Sequence, residues 1–287
     1  CPSARVWRDK VKENTLRLLT EYDMDGVYLD QIGAHAPQPC MDNTHSHAPG
    51  GGGWWQKAYR EMLAEINAEK PADKILTTEC NAEPFTDSLD GFLSWSWISV
   101  GKYVPAFMRL YGGRIVVLGR NANGYMKDDL NYWRYHLAQG LVGGEQMGWI
   151  NSDFVDQPER LEFAKTLVRF RYEHRAFFRG ARAMRTPIVE CDESHMFTSG
   201  VGMMWQAVLH EPLLCVGALE NGKKKLLMAV NLSDEEMTDS VRFVNKEFGL
   251  TGDNFTNLGE GTAVLTDENH LKITVPGGSV LALSWEA

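Results

Sequence analysis

The feature that most constrains this chain is an alternation. Over the first 150 residues, short apolar runs bounded by turns trade places with stretches of helical period. Two of the apolar runs end in a carboxylate. Gly26-Val27-Tyr28-Leu29-Asp30 and Lys74-Ile75-Leu76-Thr77-Thr78-Glu79 read as buried strands. Residues 6–22 read as a helix with Val11, Leu18, Leu19 and Tyr22 on one face. Residues 54–69 read as another, with Tyr59, Met62, Leu63 and Ile66 inward and Pro71 as its stop. Further strands are expected over 90–95, 114–118 and 146–150, and further helices over 101–111, 127–142 and 157–178. The last should turn Leu161, Ala164, Leu167, Val168 and Tyr172 inward. Strands that alternate with helices imply parallel strands joined by crossovers.

The pattern changes near Gly180. From there to Ala287 no helix is expected, only short strands over 186–190, 203–209, 213–219, 225–232, 240–243, 263–265, 271–275 and 279–285. Turn signals such as Glu220-Asn221-Gly222 and Pro276-Gly277-Gly278 separate them. The expected architecture is therefore α/β: a (β/α)8 TIM-barrel-type catalytic region over residues 1–179, then an antiparallel β-sandwich over residues 180–287. Five strands fall before residue 151, whereas a closed barrel needs eight. Either the visible part is the carboxyl-terminal half of a barrel whose first half lies elsewhere, or the parallel sheet is open. Open strand edges are association sites, so a missing amino-terminal segment or a homo-oligomer is expected.

Composition narrows the function classes. The 287 residues carry 38 acidic and 29 basic side chains, a net charge of −9, with no strong basic block. Such a chain is a poor ligand for nucleic-acid phosphates. No run of 18 apolar residues exists, so no membrane-spanning helix is expected. Five cysteines, scattered and odd in number, argue against a disulfide framework. Free thiols lean towards a cytoplasmic setting, although the chain opens on Cys1 and offers no leader to read.

Asp30 and Glu79 are the first candidates for chemistry. Each closes a parallel strand at its carboxyl end, where barrel active sites lie. A retaining glycosidase needs one carboxylate as nucleophile and one carboxylic acid as proton donor, about 5–5.5 Å apart. The bland alternative is a pair of caps or salt-bridge partners. Asp90 and then Glu83 follow as rival acids, Asp90-Gly91 being equally readable as a turn.

Around these carboxylates the sequence is similar to a known group. Gly26-Val27-Tyr28-Leu29-Asp30-Gln31-Ile32-Gly33 resembles the nucleophile strand of barrel glycoside hydrolases, and Thr77-Thr78-Glu79 resembles their acid/base strand. The order Asp, then Glu, resembles that of the α-amylase clan and of the endo-α-N-acetylgalactosaminidases. The chain also looks like a bacterial family of glycoside-hydrolase-like barrel proteins. That family shares a Tyr-Leu-Asp-Gln-Ile-Gly strand end, a Cys/His/Gly-rich loop and a Thr-Glu strand end. The resemblance covers residues 1 to about 150 and, in general form, the terminal sandwich. It implies a glycosidase acting on an oligosaccharide or glycoside, retaining and α-specific, with Asp30 as nucleophile and Glu79 as acid/base. Tyr28 stands where the amylase clan has arginine, so amylase substrates do not carry over.

Other residues are candidates for holding substrate. Tyr28, His45, His47, Trp54, Trp95, Arg120 and Trp149 are assigned that role. Tryptophan offers a flat apolar face for a sugar ring and one N–H donor. Imidazoles and guanidinium groups can bond hydroxyls. Asn121 could serve beside Arg120. The loop with His35, Cys40, His45 and His47 contains zinc-ligand types, but their spacing fits no standard finger, so no metal site and no cofactor are assigned. Two rivals stand beside the glycosidase. One is a carbohydrate-binding or scaffold protein without turnover, and the other is a metal-dependent hydrolase built on the His/Cys loop.

Overall fold

The computed structural model describes residues 1–94, 104–120, 129–148, 154–202, 206–252 and 254–287. They form two compact units, Cys1–Ser94 and Trp95–Ala287.

The first unit is a β/α layer. Helix α1 (Arg5–Thr20) leads to β1 (Gly26–Leu29), α2 (Trp54–Glu69), β2 (Ile75–Glu79) and β3 (Gly91–Leu93). The strands pair in parallel in the order β1-β2-β3, leaving β1 with an unpaired outer edge among the described residues. Met62, Leu63 and Ile66 of α2 are completely buried, as the helical spacing requires. Helix α1 is rotated from the expected face: Leu18 and Tyr22 are exposed, and Arg8, Thr15 and Leu19 point inward. The cause is electrostatic. Buried Arg8 reaches Glu61 at 3.0 Å and Glu65 at 2.6 Å, both on α2, so the guanidinium takes the inner face and its stem packs with it.

The second unit opens with α3 (Ala106–Tyr111) and β4 (Val116–Leu118). After α4 (Leu130–Val142), the expected strand over 146–150 is reduced to one parallel bridge from Leu118 to Gln146, with residues 149–150 outside the described residues. Asp129 caps α4 by accepting from the Tyr132 N–H at 2.8 Å. The long helix expected over 157–178 divides at His174 into α5 (Pro158–Glu173) and α6 (Arg175–Phe178). Its inner face is also shifted. Val168 and Tyr172 are exposed, and Phe163 and Phe170 are buried instead. Phe163 packs on Trp133 of α4, whose ring Arg160 also covers.

The remaining strands build two facing antiparallel sheets and a hairpin. The strands are β5 (Arg182–Ala183), β6 (Ile188–Glu190), β7 (Met196–Gly202), β8 (Gln206–Pro212), β9 (Leu214–Asn221), β10 (Lys224–Asn231), β11 (Met237–Arg242), β12 (Phe255–Asn257), β13 (Thr262–Asp267), β14 (His270–Val275) and β15 (Val280–Glu286). One sheet runs β12-β15-β10-β9-β5 and the other β13-β14-β11-β6, while β7 and β8 pair with each other. Val216, Leu227 and Leu283 from the first sheet share one core with Val241, Leu271 and Ile273 from the second. A short helix absent from the sequence expectation, α7 (Asn245–Phe248), seals this core with Phe248 and ends on Gly249 at φ 65°.

The expected boundary at 179/180 is not where the units part. Helix α4 is buried all round and belongs to the sandwich's compact unit. Its Arg134 donates to the Leu232 carbonyl at 2.7 Å and meets Asp234 at 2.8 Å. A Cβ on Gly217 of β9 would lie 2.6 Å from the Val142 carbonyl oxygen. Only glycine permits that approach, so Gly217→Ala should cost about 1–3 kcal/mol. A lowered urea midpoint at unchanged slope would report it.

Candidate active site

The site is built where β1 and β2 end. Leu29 pairs with Thr78, so the next residues on each strand, Asp30 and Glu79, lie across from one another. The turn after β1 is fixed from below. Thr78 is fully buried, and its hydroxyl donates to the Leu29 carbonyl at 2.7 Å. The Thr78 hydroxyl oxygen in turn accepts from the Gly33 N–H at 3.2 Å. Gly33 lies against β2 so closely that a Cβ there would sit 2.4 Å from the Glu79 carbonyl oxygen. Gln31 and Cys80, the residues directly after the two carboxylates, both have left-handed backbone, at φ 65° and 61°. Such conformations are costly for residues with a side chain, and packing must hold them.

Electrostatics distinguish the two acids. Asp30 is exposed and Glu79 is buried. Their carboxyl groups are within hydrogen-bonding reach, which raises the Glu79 pKa. Burial is the larger cause, the Asp30 charge adds to it, and a bond from Gln31 Nε2 at 2.7 Å works in the opposite direction. The two environments therefore differ: burial favours the protonated form of Glu79, while Asp30 faces solvent. Tyr28 lies two residues before Asp30 on the same face of β1. Its hydroxyl donates to Asp30, and burial together with the Glu79 and Asp30 charges pushes its pKa upward.

The remaining candidates fall elsewhere. Asp90 is at the opposite end of the sheet, where its side chain accepts from the Leu76 N–H at 2.9 Å. Three residues of strand, roughly 10 Å, separate Leu76 from Glu79, so Asp90 serves as a strand cap and not as a member of the carboxylate pair. Glu83 is exposed in a single helical turn after β2. Arg120 lies in the second unit, buried and bonded to both oxygens of Glu145, at 3.0 and 2.5 Å, so its guanidinium is engaged there. Trp95, Asn121 and Trp149 lie outside the described residues.

His45, His47 and Trp54 meet one another instead. The His47 ring stacks on Trp54 at 3.7 Å and 4°, covering one of the indole faces expected to receive a sugar. His45 Nδ1 is 3.3 Å from Cys40 Sγ, and its Nε2 is 3.5 Å from Asp42. His47 Nε2 is 3.3 Å from Cys1 Sγ, and its Nδ1 is 2.7 Å from the Ala48 carbonyl. All four ring nitrogens thus have protein partners, and none is left over for a sugar hydroxyl.

Two outcomes follow from this geometry. Gly33→Ala should destabilise the first unit by about 1–3 kcal/mol, because the new Cβ meets β2 backbone. Thermal unfolding followed by near-UV dichroism would detect it. Glu79 favours its protonated form when folded. Its contribution to stability is therefore complete below the ordinary glutamate value of 4.5 and is lost as pH rises through the raised value. Glu79→Gln should remove that loss. The variant should gain stability relative to the native protein as pH increases, read as a growing difference in melting temperature.

Known proteins resemble the chain in both sequence and fold. Residues 1–122 match a family described as a domain of unknown function, DUF6259. A Bacteroides thetaiotaomicron protein, named provisionally as a glycoside hydrolase, is 35% identical over 190 residues, covering 63% of this chain and 28% of the relative. A Monosiga brevicollis protein with the same provisional name is 29% identical over 155 residues, covering 52% of this chain and 13% of the relative. The chain thus spans less than a third of either relative's length. Among solved structures, the Nostoc punctiforme debranching enzyme soaked with acarbose aligns over 98% of this chain and 61% of its own, at TM-score 0.56 and 15% identity. A maltogenic α-amylase from Thermotoga neapolitana aligns over 99% of this chain and 67% of its own, at TM-score 0.57 and 12% identity. At such identities the likeness is one of fold. A parallel β/α layer followed by a β-sandwich is consistent with part of a barrel plus a β domain, in a chain whose sequence relatives carry glycoside hydrolase names.

Proposed function

We propose that the chain carries the catalytic carboxylates of a glycoside hydrolase that retains configuration at an α-linked sugar. One observation carries the reading. Asp30 and Glu79 end adjacent parallel strands within hydrogen-bonding reach, and the buried member holds a raised pKa. A proton donor must stay protonated near neutrality while its partner stays available as a nucleophile, and this division of environment favours that. Asp30 attacks the anomeric carbon as the bond to the leaving oxygen breaks, and Glu79 gives that oxygen its proton. Glu79 then takes a proton from water, whose oxygen displaces Asp30. Tyr28, bonded to Asp30, sets the direction of its carboxylate.

A bound sugar sits between carboxyl groups about 5–5.5 Å apart in retaining enzymes and about 6.5–9.5 Å apart in inverting ones, and a pair on adjacent parallel strands suits the shorter spacing. Asp30 is exposed, so its side chain is free to turn towards an entering substrate. The open edge of β1 supports a second element of the proposal: further strands of the sheet come from a longer chain or from a second copy.

Aryl α-glycosides test the reading. Asp30→Asn should abolish turnover. Glu79→Gln should lower it by about 10²–10⁴-fold on substrates with poor leaving groups, and much less on those with acidic ones, which leave without a proton. Proton NMR should show the α-anomer as first product. A first-formed β-anomer, or two variants that keep the native rate, would sink the assignment.

A further inference from the structure

Away from the carboxylates, four metal-ligand side chains converge. The sulfur atoms of Cys1 and Cys40 and one ring nitrogen each of His45 and His47 all lie within 4.8 Å of one another. We infer that these four residues form a structural zinc site that fastens the segment ahead of α1 to the loop following Asp30.

The geometry suits the metal. Zinc bonds of about 2.3 Å to sulfur and about 2.0–2.1 Å to nitrogen, in a tetrahedron, place neighbouring ligand atoms about 3.3–3.8 Å apart. Two of the four sulfur–nitrogen separations are 3.3 Å, Cys40 Sγ to His45 Nδ1 and Cys1 Sγ to His47 Nε2, and every ligand pair lies within 4.8 Å. Two thiolates and two imidazoles are the donor set that selects zinc among available divalent ions. Zinc-bound histidines commonly donate their second N–H to a carboxylate or a backbone carbonyl, which fixes the tautomer. Both arrangements are present: the distal nitrogen of His45 faces Asp42 at 3.5 Å, and that of His47 faces the Ala48 carbonyl at 2.7 Å.

The loop is already shaped around this point. Cys40 and Gly50 exchange backbone hydrogen bonds at 3.0 and 2.7 Å, closing a small ring that contains both histidines. Trp54, the first residue of α2, stacks on His47 and donates to the Gly50 carbonyl at 3.2 Å. Four protein ligands fill a tetrahedron and leave no position for water or substrate, so the ion is a clip and not a catalyst. Neither Asp30 nor Glu79 belongs to the ligand set, which makes the site independent of the glycosidase assignment.

Elemental analysis of the protein, purified under reducing conditions and passed through chelator-free gel filtration, should find about one zinc per chain. Replacement by cobalt should give the intense visible bands of a tetrahedral ion, with a thiolate-to-metal charge-transfer band in the near ultraviolet. Cys1→Ser, which lies ahead of every helix and strand, should lose most of the zinc without disturbing the far-UV dichroism. Cys40→Ser and His47→Ala should do likewise, whereas His35→Ala, outside the ligand set, should keep it. The site is overturned by zinc-free protein that gives no tetrahedral spectrum on adding cobalt, or by the weak bands of an octahedral surface ion. Full zinc retention in Cys1→Ser, or a Cys1–Cys40 disulfide in the reduced preparation, would overturn it equally.

Discussion

The carboxylate pair depends on one buried hydroxyl. Thr78 sits inside β2, gives its proton to the Leu29 carbonyl and accepts the Gly33 N–H. The chain between those two contacts is the turn that carries Asp30, Gln31 and Ile32. Parallel pairing sets which residues stand opposite, but it ends at Leu29. Beyond that point the backbone would be free to leave the sheet. The threonine returns it to β2, and Gly33 then lies flush against the Glu79 backbone because it has no side chain to prevent it. Left-handed backbone at Gln31 and Cys80 is what this docking demands, and a buried hydrogen bond with both ends satisfied is strong enough to maintain it.

Much of this was legible in the sequence, for identifiable reasons. The helix over 54–69 and the strands ending at Asp30 and Glu79 follow from apolar periodicity, and they appear with boundaries shifted by at most a residue. Periodicity failed where charge or aromatic bulk competed with aliphatic spacing. Arg8 displaced Leu18 and Tyr22 from the inner face of α1, and Phe163 and Phe170 displaced Val168 and Tyr172 in α5. The division of the chain was hidden for a related reason. Helix α4 looks like one more barrel helix, yet Arg134 and the bare backbone at Gly217 tie it to the sandwich.

The residues that the structure gathers around the candidate carboxylates were legible only when they were local. Tyr28, Asp30 and Glu79 stand in short strand motifs. Gln31, Thr78 and Gly33 were visible in those same motifs, but their roles exist only across the β1–β2 pairing, some 45–48 residues away in sequence. Asp90 was misplaced because a carboxylate beside a strand looks the same at either end, and only the Leu76 contact distinguishes them. The Cys/His loop fitted no known spacing because its fourth member, Cys1, is 46 residues from His47. Long-range partners of this kind leave no periodic trace.

Among the described residues the outer edge of β1 is bare, and a second copy added there would tie the carboxylate pair to mass action. That strand bears Tyr28 and leads directly into Asp30, and a strand added beside it would run about 4.8 Å from its backbone. A second copy pairing there would bind the folded layer and not the unfolded chain, so its free energy of association would add to the stability of the strand that leads into Asp30. Dilution would then act on the carboxylate pair as a mutation does, loosening Asp30 while leaving every residue of the site in place.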